Sequence, residues 1–203
     1  MRSFTPPGAP GRCPRCLLLI DYCLCELVGV ASESRPQVLI VRHHWEAFKS
    51  TGTARLAGLA LSNASILDMA AENPEPVRER LRGLEDAWLL YPDGTETAAK
   101  RGDERRAPQT LIVLDGTWRQ TRKMLRRLPE LARFPRFSLA PDPSGAERDR
   151  LREPPRPGAR STLESIAEAL AQLDSPVTGQ RLLLLHQQFV ARTRHGRGQR
   201  HES

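Results

Sequence analysis

Thr110-Leu111-Ile112-Val113-Leu114-Asp115-Gly116-Thr117-Trp118 is the stretch on which the fold turns. Its first five residues are an unbroken apolar run of strand type, closed by a turn signal at Asp115-Gly116. A helix is then predicted to run to about Leu128. Trp118, Thr121, Leu125 and Leu128 recur at helical spacing and form its apolar face. Arg119, Arg122, Lys123, Arg126 and Arg127 occupy its other faces, and Pro129 stops it.

Working outward, Gln37-Val38-Leu39-Ile40-Val41-Arg42 is a second strand, followed by a polar and aromatic loop from His43 to Lys49. Thr53 to Leu61 is a helix rich in alanine and leucine. Trp88-Leu89-Leu90-Tyr91 is a third strand, ended by Pro92-Asp93-Gly94. Residues 96–108 are charged and aperiodic, a surface loop, and residues 141–158 hold five prolines and little that packs. Ser161-Thr162-Leu163-Glu164 is a capping box that opens a helix with the stripe Leu163, Ile166, Ala167, Leu170 and Leu173. Ser175-Pro176 opens a last helix through Val190. Strands alternating with helices predict an α/β layer fold with a mostly parallel sheet and flanking helices. Ligands in such sheets bind at the carboxyl ends of strands, where Tyr91–Gly94 and Asp115–Trp118 both fall.

The formal charge is +7, and 28 of the 31 basic residues are arginine, whose planar fork of donors suits phosphate. A polyanionic partner such as nucleic acid is the leading reading, with a merely basic surface as its rival. Apolar residues make up 39% of the chain, enough for a real core. No run approaches the roughly 18 uncharged apolar residues of a membrane span. The start, Met1 to Cys13, has no apolar signal core, so a cytoplasmic protein without a membrane partner is expected.

All four cysteines are close together: Cys13 and Cys16, then Cys23 and Cys25. Four thiolates so spaced can surround one tetrahedral ion and leave no position open for water, which points to structural rather than catalytic zinc. Disulfides fit a reducing cytosol poorly. The choice of zinc over iron rests on ligand type alone. The expected organisation is a flexible segment 1–12, a four-cysteine zinc knuckle 13–30, a catalytic domain 31–191 and a basic disordered tail 192–203.

Asp115-Gly116-Thr117-Trp118 between an apolar strand and a basic helix resembles the signature of the DTW-domain family. Four further blocks follow the family's order: the cysteine cluster; His43, Glu46 and Lys49 with Ser50-Thr51-Gly52-Thr53; Leu89-Leu90-Tyr91-Pro92; and Ser161-Thr162-Leu163-Glu164. The resemblance spans about residues 12–190. Gly52 stands where the family often has asparagine, so any contact of that side chain is absent, though a tight backbone approach is compatible with glycine.

The resemblance implies a SPOUT-like domain, of the class in which a knotted α/β unit binds S-adenosylmethionine. It implies transfer of the 3-amino-3-carboxypropyl group from S-adenosylmethionine to N3 of a tRNA uridine, releasing methylthioadenosine. An RNA methyltransferase and a non-catalytic zinc-knuckle RNA-binding protein are its rivals. Asp115 is either a strand-to-helix turn residue or N-cap, or the general base that removes the N3 proton. Trp118 belongs to the core or packs against the transferred chain. Thr117 and the Gly116 amide hydrogen-bond the cofactor, or Gly116 only permits the turn. Thr162 starts a capped helix whose amides suit the cofactor's carboxylate, while Glu164 is a cap partner. Leu89, Tyr91 and Pro92 either border an adenosine pocket or merely end a strand. Lys49, Arg119, Arg122, Lys123 and Arg126 are the candidate RNA contacts. His186 reads as a satisfied core histidine.

Overall fold

A computed structural model describes residues 8–28, 33–92, 107–140, 151 and 159–198. Residues 1–7, most of the charged loop at 96–108, the proline-rich stretch at 141–158 apart from Leu151, and residues 199–203 of the expected tail lie outside the described residues.

Five strands form one sheet: β1 (Gln37–His43), β2 (Ala64–Met69), β3 (Ala87–Leu90), β4 (Thr110–Asp115) and β5 (Arg136–Phe137). Their order is β2-β1-β4-β3-β5, and every pairing is parallel. The helices are α1 (Cys25–Val28), α2 (Ala54–Ala60), α3 (Glu75–Arg82), α4 (Trp118–Arg127), α5 (Thr162–Leu173) and α6 (Pro176–Gly198). Among the described residues no helix is long and apolar enough to cross a membrane.

Every residue of β4 is buried, as a central parallel strand covered on both faces must be. Alternate residues serve opposite layers. Val38, Ile40, Leu111 and Val113 pack against Leu56 of α2, Ile166 and Leu170 of α5, and Leu182 and Phe189 of α6. Leu39, Val41, Ile112 and Leu114 pack against Val77 and Leu81 of α3 and Met124 and Leu128 around α4. Cys13, Cys16, Leu18 and Leu24 belong to the first of these cores, so the cysteine segment is packed into the α/β body.

The chain leaves β1 toward α2 and β2 on one side and leaves β4 toward α4 and β5 on the other, each on its own face of the sheet. The carboxyl ends of these adjacent strands thus form a topological switch point, where Arg42 lies in register with Asp115.

Three local differences from the sequence reading have physical causes. In α4 the core position goes to Met124, while Leu125 is half-buried and Trp118 stays at the helix start, half-buried. Strand β2 was not anticipated because it lies at the sheet edge and carries a mixed burial pattern rather than an apolar run. Helix α6 continues to Gly198, past Arg192, where a disordered tail was expected. Its end has a docking partner: Arg192 donates to the Cys23 carbonyl and lies 3.5 Å from Glu26, while Gly196 meets the Tyr22 ring and Leu19.

Candidate active site at the β1–β4 switch point

Asp115 ends β4 and is only 7% exposed. The Thr162 hydroxyl, at the first turn of α5, donates to its Oδ1 at 2.6 Å. Its Oδ2 is buried without a hydrogen-bond partner among the described residues. Burial pushes the Asp115 carboxyl up to about 6; the Thr162 hydrogen bond opposes that shift, the charge of Glu46 adds to it, and Arg42 and Lys49 oppose it. A buried carboxylate oxygen with nothing to accept from is costly in a folded protein, and such groups concentrate where a substrate proton is handled.

The next three residues shape the turn. Thr117 is the N-cap of α4: its hydroxyl accepts from the Gln120 amide at 3.3 Å, and its own amide donates to Gln120 Oε1 at 2.6 Å. The Thr117 amide is therefore used within the cap, leaving the hydroxyl proton for a ligand. A Cβ on Gly116 would sit 3.1 Å from Gln120 Cβ and 3.6 Å from His43 Cβ, so a side chain there presses on the cap. The Gln120 amide nitrogen lies 3.3 Å from His43 Nδ1, which also faces the Trp45 amide at 3.4 Å. Two donors aimed at one nitrogen make Nδ1 the acceptor. Burial, then the neighbouring His44, hold His43 below its usual value, in keeping with a neutral ring.

Trp118 meets Tyr91 edge-to-face, with ring centroids 6.3 Å apart and 71° between planes. Tyr91 follows β3; its amide donates to the Phe137 carbonyl at 3.1 Å and its carbonyl accepts from Ser138 at 2.9 Å. Tyr91 packs on the α3–α4 layer and Thr162 belongs to the α5–α6 layer, so the two pairs flank the end of β4 from opposite faces. Pro92 is exposed beside Tyr91. Leu89 is fully buried among α3 and α4, so its side chain serves the core and only its backbone is placed to border a pocket at the end of β3.

Lys49, a candidate RNA contact, is engaged within its own turn. It is 9% exposed, and its ammonium is held by Glu46, equally buried. Arg55 donates to the Ala47 carbonyl from the next helix, fastening the same turn. Gly52 sits tightly under this turn, since a Cβ there would lie 3.2 Å from the Lys49 carbonyl and 3.3 Å from that of Glu46. Arg119, Arg122, Lys123 and Arg126 are all exposed on α4. His186 is buried with Nε2 3.9 Å from Glu164, whose carboxylate also accepts from the Ser161 amide at 2.7 Å.

Sequence reading missed three residues around the site. Arg42 is held by Asp68 through two hydrogen bonds, of 2.6 and 2.9 Å. Thr53 accepts from the Leu163 amide at 3.3 Å, tying α2 to the start of α5. Gln120 had a local signal, because a threonine N-cap followed three residues later by glutamine is a capping box; the other two depend on long-range pairing.

The four cysteine sulfurs all lie within 4.8 Å of one another. Cys13 and Cys25 are separated by 3.6 Å and Cys16 and Cys23 by 3.8 Å, too far for disulfides. A tetrahedral zinc with bonds of about 2.3 Å puts its sulfurs about 3.8 Å apart. Leu17 takes a left-handed conformation, φ 61°, to close the turn between the pairs. The residues fit a structural tetrathiolate metal centre.

No solved structure matches the chain. It is 27% identical over 179 residues to a Drosophila melanogaster protein named tRNA-uridine aminocarboxypropyltransferase 2, across 85% of this chain and 70% of that one. The DTW domain profile matches residues 11–194, from just before the first cysteine to near the end of α6. All five sequence blocks lie inside that match, and the chain belongs to the DTW-domain family.

Proposed function

We propose that this chain is a cytoplasmic transferase that moves the 3-amino-3-carboxypropyl group of S-adenosylmethionine to N3 of a tRNA uridine and releases methylthioadenosine. Its family membership and the name of its Drosophila relative support the reaction class. The observation that carries the chemistry is the buried Asp115, with one oxygen held by Thr162 and the other unpartnered.

When bound, S-adenosylmethionine supplies a sulfonium whose attached carbon is electrophilic without further activation. Tyr91, Pro92, Gly116, Thr117, Trp118 and the start of α5 at Thr162 are the residues assigned to hold it. Uridine N3 carries a proton and is a poor nucleophile until that proton leaves. With its carboxyl near 6, Asp115 is about tenfold more ionised than protonated at pH 7. Asp115 Oδ2 accepts the N3 proton as the N–C bond forms and the C–S bond breaks, and later returns it to water. Thr162 keeps the carboxylate pointed by occupying Oδ1. Trp118 and Tyr91 present aromatic edges that exclude water and fix which sulfonium carbon faces the nucleophile.

Arg119, Arg122, Lys123 and Arg126 are assigned to the RNA backbone. The cysteine centre is assigned to structural zinc, because four closed thiolates leave no position for chemistry. The parallel sheet with its site at strand ends supports the SPOUT-like class for the domain.

The test is incubation of purified protein with unmodified tRNA and S-adenosylmethionine labelled either in the carboxyl carbon or in the methyl. RNA labelled from the carboxyl preparation alone is the expected result. RNA labelled from the methyl alone makes this a methyltransferase. Tight tRNA binding with no label from either leaves an RNA-binding protein.

A further inference from the structure

Trp45 is the one aromatic among the large hydrophobic side chains that are well exposed, at 57%, among the described residues; the others are Ile20, Leu27, Val177 and Leu184. A single exposed apolar side chain needs no explanation. Trp45, however, ends an ordered row. His43 and His44 stack with ring centroids 4.5 Å apart and 24° between planes, and the Trp45 ring follows at 5.1 Å and 42°. The row is anchored at its inner end by Gln120, the cap residue of the Asp115-Gly116-Thr117-Trp118 turn, at 3.3 Å from His43. Its middle is fixed by His44, whose Nδ1 lies 3.2 Å from the Met69 carbonyl. His43 directly follows Arg42, the register partner of Asp115, so the row begins at the catalytic strand end and runs outward into solvent.

We propose that the His43–His44–Trp45 row is a stacking platform for an unpaired nucleobase of the RNA substrate, with the Trp45 face as its outer surface. The assignment rests on the tRNA reading above. It is favoured by the chemistry of the surroundings. The adjacent helix α4 has exposed Arg119, Arg122, Lys123 and Arg126 and no acidic residue, a surface that suits phosphates. The nearest acid on the same turn, Glu46, is buried against Lys49. An aromatic face beside a cationic helix is the combination by which proteins hold single-stranded RNA, since every base offers a π face. Uridine N3 is hidden in a base pair, so the reaction needs an unstacked nucleotide, and an unstacked strand needs a surface that replaces the lost stacking. Trp88 and Trp118 cannot serve, as Trp88 is half-buried against Phe137 and Trp118 is engaged with Tyr91.

The test compares wild type, Trp45→Leu and Trp45→Phe for tRNA affinity by anisotropy at several salt concentrations, for S-adenosylmethionine affinity by calorimetry, and for steady-state transfer. Trp45→Leu is expected to weaken tRNA binding and raise its KM about tenfold or more. Its kcat at saturating tRNA, S-adenosylmethionine affinity and salt slope should stay at wild-type values, because a stack releases no counterions. Trp45→Phe restores most of the affinity. Wild-type tRNA affinity in Trp45→Leu overturns the platform, and so does a loss of S-adenosylmethionine affinity that parallels the loss for tRNA. If wild type binds tRNA but transfers no aminocarboxypropyl group, the reaction assignment fails, and the anisotropy of the variants still decides the platform.

Discussion

The Thr162 hydroxyl donates a 2.6 Å hydrogen bond to Asp115 Oδ1 across 47 residues of sequence, joining the end of the central strand to the first turn of α5. This bond stabilises the ionised carboxylate against the larger opposing effect of burial. If Asp115 must be ionised to accept the uridine proton, kcat/KM rises with pH through about 6 and then levels. Thr162→Val removes a group that lowers the Asp115 pKa, so the acid limb moves to higher pH, while Thr162→Ser leaves it near the wild-type position. A pH–rate profile of the three proteins measures this, and an unshifted limb in Thr162→Val removes Asp115 ionisation as its origin.

The proposed role of Asp115 as base would tie activity to stability. Its carboxyl is about 6 in the folded chain against an ordinary 3.8, so the native state holds the proton more tightly than the unfolded state. Stability therefore falls as pH rises between these values, and above about 6 the ionised group costs up to about 3 kcal/mol. Asp115→Asn is free of that penalty. Thermal melts should show the variant several degrees more stable than wild type at about pH 7.5, with the advantage shrinking toward about pH 4.5, while transfer is nearly abolished. A variant less stable than wild type at both pH values contradicts the assigned burial cost.

The cysteine centre is built into the fold rather than appended to it. Cys13 and Cys16 share a core with α2, α5 and α6, and Arg192 near the end of α6 donates to the Cys23 carbonyl. Elemental analysis should find about one zinc per chain. Chelation, or Cys16→Ser, should loosen both the cysteine turn and the end of α6. A loss of about 3 kcal/mol would lower the Tm by about 6–12 °C in a chain of this size. Hydrogen exchange should report the loss of protection at residues 191–197 together with the cysteine segment.

Gln120 fastens the turn that carries the motif. It closes the capping box with Thr117 and reaches His43 on the neighbouring strand. Gln120→Ala should cost about 1 kcal/mol, or about 2–4 °C in Tm, as for the loss of one cap. The effect on kcat should exceed this modest loss, because Gly116 and Thr117 lose the group that holds them. Equal kcat in the variant would show that the turn keeps its shape without the cap.

What the sequence by itself determined was local. The apolar run at 110–114, the capping box at Ser161 and the cysteine spacing depend on near neighbours, and each is present where residue order alone places it; the box at Thr117 is equally local, though it was read only from the structure. The strand-end position of Asp115 was legible for the same reason. The tertiary structure decided what pairing across long separations controls. The order β2-β1-β4-β3-β5 puts Arg42 beside Asp115 and creates the switch point. It also sends Leu89 into the core and buries Lys49 against Glu46, although their types suited a pocket wall and an RNA contact. The edge strands β2, with its mixed burial, and β5, with only two residues, have too little apolar surface to announce themselves, and they form because a neighbouring strand offers its free backbone groups. The end of α6 is polar enough to read as a tail, and it is helical where the cysteine turn gives it a surface to pack on. Local propensity names the elements, whereas burial and backbone pairing decide which of their side chains face the site.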